Sequence, residues 1–314
     1  MILSVSRRTD IPAFFTPWFM KRLEEGFVMV RNPMNYHQIS KIKLTPDVVD
    51  CIVFWTKNPL PLLPHLDKIA EKYPFYFQYT LNAYEKDMEP NLPNLEKKLE
   101  TFKKLSAKVG SERVLWRYDP ILLSSKYNLE WHKEQFERLA YELAPYTSTC
   151  IFSFVDLYDK VVRNNKLTDI YSCSAEDMDK LAQHFASIGA KLGLKLKTCA
   201  EKVDLNQYGI EHSHCIDAEL ISKLVGCPIG GVKDKNQRME CGCLESVEIG
   251  QYDTCSHGCK YCYANFNNKK VQTSLKSYDV NSPLLIGNID ENSKISERKV
   301  KSLKNYAAAE QKLF

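Results

Sequence analysis

One pattern recurs along most of the chain: a short apolar run, rich in β-branched and aromatic residues, followed by a segment with helical spacing. The runs lie at residues 2–6, 50–56, 75–82, 113–119, 149–156, 194–201 and 246–253, with a weaker one at 27–31. Near-continuous apolar runs of this length are typical of strands buried on both faces. Their alternation with helices predicts parallel strands joined by right-handed crossovers. We therefore predict an α/β fold, a TIM-barrel-like (β/α) barrel of seven or eight mostly parallel strands.

The segments between the runs carry helix start and stop signals. Pro17 and Gly26 bracket the first segment, as expected for the first turn and the end of a helix. Ser174, followed closely by acidic residues, suits the start of another. Helical spacing also predicts helices over 94–110 and 128–145.

The chain of 314 residues shows no linker, repeat or low-complexity tract that would divide it. Its length suits one large α/β domain or two small ones. We predict a single barrel domain over residues 1–275, which includes a cysteine-rich loop at 241–265. The polar segment 276–314 is predicted to be an extension that is packed on the barrel or partly mobile.

Charged residues follow the predicted strands. They are Arg7, Arg8, Asp10, Lys57, Arg117, Asp119, Asp156 and Glu201. Because the C-terminal ends of parallel strands meet on one rim of a barrel, where the active sites of such folds are built, we expect these side chains to face a common cavity. Any one of them could also be an ordinary turn or cap residue. Their recurrence at strand after strand favours a functional rim.

Three cysteines stand close together in the sequence YDTCSHGCKYCYAN: Cys255, Cys259 and Cys262. They follow the last predicted strand, so we expect them on the same rim. The short spacings let one loop bring three sulfurs together, and thiolates favour iron–sulfur clusters, zinc or Cu(I). Three ligands are one fewer than a closed zinc site or a four-cysteine cluster uses. Either a fourth protein ligand comes from elsewhere, or one metal position stays open, as at a catalytic metal.

The chain has eleven cysteines and no recognisable secretion signal, so we expect a cytoplasmic, reducing setting in which cysteine clusters are more often metal-binding than disulfide-bonded. Four of them are candidates for a second, auxiliary iron–sulfur cluster: Cys199, Cys215, Cys241 and Cys243. The C-x-C pair is the strongest part of this set, because its two thiols can point at one metal. The same four residues could also be ordinary buried thiols.

The cysteine motif, with the aromatic Tyr261 before its last cysteine, resembles that of the radical S-adenosylmethionine (SAM) enzymes. The segment CKYCYAN also resembles the cysteine loop of the spore photoproduct lyase-like members. The segments RRTDIPAFF, FWTKNP, RYDPILL and QRMECGCLESVEIGQYDTCSHGCKYCYAN together resemble the DUF1848 family. Radical SAM enzymes usually carry the motif after the first strand. Since the last strand of a closed barrel neighbours the first, we expect a barrel circularly permuted relative to theirs.

This resemblance implies cofactors and a reaction. It implies that Cys255, Cys259 and Cys262 bind three irons of a [4Fe–4S] cluster, that SAM chelates the fourth iron, and that Tyr261 lies near the adenine. It further implies reductive cleavage of SAM and abstraction of hydrogen from a substrate, with a reducing partner such as flavodoxin or ferredoxin. The substrate, a small molecule or a nucleic acid, stays open.

The rim residues are assigned on the same basis. The candidate catalytic residues are Arg7, Arg117, Asp119 and Glu201, and the candidate cofactor-binding residues are Tyr261, Lys57 and Asp156. The arginines could grip a phosphate or carboxylate of the substrate bidentately. The acids could accept hydrogen bonds from a ribose hydroxyl or the amino group of SAM.

The amino-acid composition excludes few classes of binding partner. Lys and Arg number 43 against 39 Asp and Glu, a formal net charge of +4, which by itself does not indicate a nucleic-acid binder. No apolar stretch approaches the length of about 18 residues of a transmembrane helix, so no membrane partner is expected. Two other classes stay open: a non-catalytic iron–sulfur protein that transfers electrons or senses redox state, and a zinc-stabilised barrel enzyme.

Overall fold

The structure is a computed structural model that describes residues 1–157, 162 and 169–306. Its strands are β1 (Ile2–Val5), β2 (Phe27–Asn32), β3 (Asn35–Lys43), β4 (Cys51–Thr56), β5 (Phe75–Thr80), β6 (Val114–Ile121), β7 (Thr149–Phe154), β8 (Lys195–Thr198), β9 (Glu211–His212), β10 (Ser246–Glu248) and β11 (Lys294–Glu297). Eight of them form one sheet in the order β10-β1-β4-β5-β6-β7-β8-β9. Every pairing in this sheet is parallel. The predicted α/β fold with a large parallel sheet is confirmed.

The sheet brings its first and last strands along the chain together. β10 pairs with β1, with Ile2 opposite Ser246 and Ser4 opposite Glu248. The segment that follows β10 therefore starts next to the segment that follows β1. β9 and β10 are the two edges of the sheet. Within the described residues, the strand pairing shows a parallel sheet and no closure into a barrel.

The helices are α1 (Ile11–Phe14), α2 (Thr16–Glu25), α3 (Leu66–Ala70), α4 (Leu95–Val109), α5 (Leu129–Leu143), α6 (Ala175–Leu192), α7 (Ala218–Val225) and α8 (Asn268–Leu275). The four helices predicted from spacing and end signals, α2, α4, α5 and α6, are confirmed. Gly26 ends α2 with a φ of 75°, a conformation that favours glycine. Ser174 and Asp177 form a capping box at the start of α6.

The apolar run at 27–31 forms a strand, but this strand lies outside the parallel sheet in which it was predicted. It forms β2, which pairs with β3 in an antiparallel hairpin, and β11 adds to β3 in parallel. The β2–β3 hairpin is an insertion between α2 and β4, and β11 comes from the C-terminal segment. Only two residues separate β2 from β3, too few for a crossover, so the pair must be antiparallel.

The eight-stranded sheet is covered on both faces. Alternate residues such as Leu3, Phe54 and Trp116 pack against the long helices in the main hydrophobic core. Their neighbours on the opposite face, such as Ile2 and Val53, form a second core with residues from the segment between β9 and β10. Burial on both faces is the physical reason why these strands read as near-continuous apolar runs.

The segment after residue 275 contacts several parts of the domain. β11 extends the hairpin sheet, and the carbonyl of Leu303 accepts a hydrogen bond of 2.8 Å from the Gly230 amide. Asp50 accepts hydrogen bonds from Ser302 and from the Leu303 amide. No helix in the described part of the chain has both the length and the apolar character needed to cross a bilayer.

Candidate functional site

The C-terminal ends of the parallel strands surround a cavity of about 870 Å³. The candidate residues that line it are Arg7, Lys57, Arg117, Asp119, Asp156, Cys199, Glu201, Cys215, Cys241, Cys243, Cys255, Cys259, Tyr261 and Cys262. These residues are scattered along the sequence, and most of them share a wall because their strands end at the same edge of the sheet, whereas Cys241 and Cys243 come from the segment before β10. The structure thus brings every candidate site residue to one cavity.

The loop after β10 carries Cys255, Cys259 and Cys262, and all three side chains face the cavity. The loop wraps because Gly258 adopts a φ of +70° and the amide of Cys262 donates to the carbonyl of Cys259 over 3.2 Å. Burial raises the pKa of all three thiols. Burial outweighs the nearby Lys57 ammonium, so these thiols are protonated near neutral pH, whereas a bound metal would favour the thiolates.

The segment after β5 clamps this loop from outside. The side-chain amide of Asn91 donates to the Ser256 carbonyl over 2.8 Å, and the Lys260 amide donates to the Met88 carbonyl over 3.0 Å. A Cβ on Gly258 would lie 3.1 Å from the Asn91 amide nitrogen. The clamp and the glycine together leave the loop little freedom to move.

A buried ionic network supports the same loop from below. Glu89 pairs with Lys57 at 2.9 Å and with Lys98 at 3.1 Å, and it accepts a hydrogen bond from the Tyr261 hydroxyl. Burial alone would raise the pKa of Glu89, but the two ammonium groups lower it to about 2. The sequence analysis missed Glu89, although its position shortly after the strand at 75–82 matches the rule that found the other rim residues.

Asp10 links the loop to β1 and β4. Its carboxylate accepts hydrogen bonds from the Thr56 hydroxyl at 2.8 Å and the Lys57 amide at 2.7 Å, and it contacts Nε2 of His257 at 2.8 Å. His257 lies between the first two cysteines of the motif. Local sequence gives no signal for this contact, because the two residues are 247 positions apart.

Both arginines assigned to substrate binding already have carboxylate partners. Arg7 lies 3.6 Å from Glu248 and 3.7 Å from Asp234, and Arg117 binds Asp119 through Nε and Nη2 at 3.0 and 2.5 Å. Their guanidinium groups lie over the ring of Trp55, at 6.0 and 5.4 Å from its centroid. Charge compensation and stacking hold these side chains in fixed positions on the cavity wall.

Two acids lie on the side of the cavity formed by β7 and β8. Burial raises the pKa of Glu201 to about 7, although its carboxylate accepts a 2.8 Å hydrogen bond from the Phe154 amide. Asp156 is exposed at the cavity mouth, where it pairs with Arg238 at 2.5 Å. Glu201 is therefore poised between its neutral and charged forms near neutral pH, a property common among catalytic acids and bases.

The other four candidate cysteines line the same cavity, although three separate segments carry them. Cys199 follows β8, Cys215 follows β9, and Cys241 and Cys243 precede β10. The sulfurs of Cys199 and Cys215 are 3.2 Å apart. All eleven cysteines of the chain are free thiols.

Several buried polar atoms on the cavity wall have no hydrogen-bond partner among the described residues: Thr9 Oγ1, Trp55 Nε1 and His257 Nδ1. Buried polar groups without a partner are rare in folded proteins, and their concentration here fits a polar ligand in the cavity. Across the described residues, no group of three or more His, Cys, Asp or Glu side chains is positioned to hold a metal ion.

The chain matches the family described as a domain of unknown function, DUF1848, over residues 2–264, which contain the whole parallel sheet and both groups of cysteines. The protein belongs to that family. A search of curated proteins found no match.

Proposed function

We propose that this protein is a radical SAM-type enzyme, in which Cys255, Cys259 and Cys262 bind three irons of a [4Fe–4S] cluster, SAM binds the fourth iron, and hydrogen is abstracted from a substrate. One observation carries the proposal: three thiols from a single loop face the cavity that the strand-end residues line. A cluster with three protein ligands has one iron free for a second cofactor. In the alternative of a simple electron carrier, a cavity of about 870 Å³ beside the cluster would have no purpose.

The donor types at this site are those that such groups use. Three buried thiols in one loop are the donors that iron–sulfur clusters use, and the unpartnered polar atoms on the wall suit a polar cofactor. The cluster would supply the electron that cleaves SAM. The cavity volume lies in the range of small-molecule sites, about 300–1,000 Å³, so we propose a small-molecule substrate.

The protein's own residues would bind and orient the cofactors and the substrate and shield them from water. Asp10 and the network around Glu89 hold the cysteine loop, with Lys57 and Tyr261 as the two contacts between them. Trp55 Nε1 and Glu201 are suited to bind polar groups of SAM or substrate. The apolar cores on both faces of the sheet exclude water from the cavity floor.

The position of the loop suits a permuted radical SAM barrel. We propose that the eight parallel strands curve into a barrel-like sheet in which β10 takes the place of the usual first strand. The parallel pairing of β10 with β1 and the sequential order of the remaining strands support this arrangement. We also propose a cytoplasmic location, in which reduced flavodoxin or ferredoxin supplies electrons.

The test is anaerobic purification, followed by iron and sulfide analysis, visible absorption and incubation with SAM and dithionite. We expect a brown protein that forms 5′-deoxyadenosine. Cys259→Ala should lose this activity, whereas Cys227→Ala, which removes a buried thiol outside the cavity, should keep it. A brown protein that leaves SAM intact would indicate a non-catalytic iron–sulfur protein, and a colourless zinc protein would indicate the zinc-stabilised alternative. Either result would refute the proposal.

A further inference from the structure

Two cysteines of the cavity wall, Cys199 and Cys215, place their sulfurs 3.2 Å apart. Both are free thiols, and the proposed function uses neither of them. Because the sulfurs of a disulfide are about 2.05 Å apart, these two atoms need to approach by only about 1 Å to become bonded. The pair can therefore store or release two electrons beside the cavity.

The backbone fixes where the two cysteines lie. Cys199 directly follows β8, and its amide donates to the Phe152 carbonyl of β7 over 3.0 Å. The carbonyl of Cys215 accepts hydrogen bonds from the Tyr76 hydroxyl at 2.6 Å and from Nε2 of Gln78 at 2.9 Å. Tyr76 and Gln78 are buried residues of β5. Strands of the parallel sheet thus hold both segments, so the fold itself keeps the two thiols together.

The two thiols differ in how accessible they are. Cys199 is half-buried, whereas Cys215 is buried and only 2% exposed. Both line the cavity, unlike Cys150, which is fully buried in the main hydrophobic core. A small molecule that enters the cavity therefore meets the sulfur of Cys199 first.

A buried cation contacts the less accessible sulfur. Arg117 uses Nε and Nη2 for Asp119, and its remaining nitrogen, Nη1, donates to the Cys215 sulfur over 3.0 Å. A positive charge next to a thiol favours the thiolate, which is the form that attacks a disulfide. Arg117 therefore suits Cys215 to attack a disulfide that has formed on Cys199.

We propose that Cys199 and Cys215 are a redox-active pair, which closes to a disulfide by thiol–disulfide exchange with a low-molecular-weight disulfide in the cavity. The cavity of about 870 Å³ has the size of a small-molecule site, which is why the oxidant is a small disulfide and not a protein. The pair gives this protein a two-electron redox activity that is separate from its proposed function.

The exchange has two steps. In the first, the Cys199 thiolate attacks one sulfur of the small disulfide, which forms a mixed disulfide and releases one small thiol. In the second, the Cys215 thiolate attacks the sulfur of Cys199, which forms the internal disulfide and releases the other small thiol. The two protein thiols lose two electrons, the small disulfide is reduced to two thiols, and the two protons of the protein thiols pass to the released thiols.

The test treats the reduced wild-type protein, freed of reductant under argon, with bis(2-hydroxyethyl) disulfide and maps its peptides without reduction. Trypsin cleaves after Lys202, so Cys199 and Cys215 leave on separate peptides, 198–202 and 203–223. We expect the two peptides to be joined, lighter by two hydrogen atoms than their sum, and to separate in dithiothreitol. Free thiols at both positions after the treatment, or a bond from either to Cys241 or Cys243 instead, would overturn the proposal.

Variants test the order of the two steps, and the wild-type measurement stands even if a variant fails to fold. Cys215→Ser should stop at the mixed disulfide on Cys199, read as the added mass of one small thiol group. Cys199→Ser should gain no such mass on Cys215. Cys227→Ser, which changes a buried thiol outside the cavity, should form the internal disulfide as the wild type does. Equal addition to Cys199 and Cys215 in the two single variants would overturn the assigned roles.

The redox-active pair does not rest on the proposed function. Formation of 5′-deoxyadenosine tests the motif loop, and the peptide map tests Cys199 and Cys215. A joined pair in a protein that leaves SAM intact would refute the proposed function alone. Formation of 5′-deoxyadenosine by a protein whose pair stays reduced would refute the redox-active pair alone.

Discussion

At the scale of single residues, Glu89 shows how a buried charge is stabilised beside the cavity. Its side chain is almost fully buried, and it has two lysine partners and one tyrosine hydroxyl. Burying a carboxylate costs free energy. Removing it also costs free energy, because its buried partners are then left with an uncompensated charge. The network therefore ties β4, α4 and the cysteine loop to one carboxylate.

We predict that Glu89→Gln destabilises the protein by about 3–5 kcal/mol at neutral pH, because it leaves two buried ammonium groups without a charged partner. The pKa of Glu89 falls from 4.5 to about 2 on folding, so its contribution is fully present above pH 4.5 and is lost as the pH falls toward 2. Urea unfolding between pH 3 and pH 7 measures both effects. Glu130→Gln, which breaks an exposed pair with Lys133, is the matched control and should change little. Equal effects of the two substitutions would contradict the network.

A second prediction at this scale concerns Gly242. Gly242→Ala places a methyl group against His214 and should cost about 1–3 kcal/mol, the range for overpacking. Because His214 is exposed, His214→Ala alone should be nearly neutral, and in the double variant it should restore most of the lost stability. Thermal unfolding of the wild type, Gly242→Ala, His214→Ala and the double variant completes the double-mutant cycle. Additive effects would show that the two residues do not touch.

At the scale of elements, β10 is the unusual one. It is an edge strand of only three residues, yet the cysteine loop depends on where it ends. The Glu248 carboxylate compensates for the short strand, since it accepts hydrogen bonds from the Ser4 hydroxyl, the Arg7 amide and the Gly250 amide at 2.8–2.9 Å. The Glu248 side chain thus joins β10 to β1 at the point where the backbone pairing of the two strands ends.

We predict that Glu248→Ala lowers stability by about 3 kcal/mol, since bonds to a charged acceptor contribute about 1.5–3 kcal/mol each and water replaces part of the loss. The amides of Val247 and Ile249 should exchange with solvent faster in hydrogen-exchange mass spectrometry. Glu245→Ala, which removes an exposed acid 3.9 Å from Arg298, is the control. Unchanged exchange at β10 in Glu248→Ala would mean that the strand pairing alone holds it.

At the scale of the whole molecule, the C-terminal segment closes the structure over the hairpin sheet and the second core. β11 pairs with β3, and Leu303 packs in the second core while its backbone bonds to Asp50 and Gly230. The C-terminal segment that makes these contacts lies beyond residues 2–264, which the family model covers.

We predict that truncation after Asn292 lowers the midpoint of thermal unfolding by several degrees, because it exposes the edge of β3 and removes Leu303 from the second core. The amides of β3 should also exchange faster. Glu297→Ala in the full chain removes only an exposed side chain and should have no effect. A truncated protein with an unchanged midpoint would show that the segment is not part of the folded unit.

Much of this protein could be predicted from local patterns. Apolar runs and helix end signals located the parallel strands and the long helices, because each depends on residues within one element. The rule that strand ends share a rim placed Arg117 and Glu201 at the cavity. The apolar-run pattern missed β9 and extended β10 too far toward the C-terminus, because such short strands carry no periodic signal.

What the sequence alone determined, therefore, is everything set by neighbours along the chain: the strand–helix alternation, the capped helices and the close spacing of Cys255, Cys259 and Cys262. Only the tertiary structure decided which distant groups meet, such as Glu89 with Lys57, Asp10 with His257, and Cys199 with Cys215. The physical reason is that these contacts depend on strand order and register, which arise from packing of the whole sheet and leave no mark at any single position.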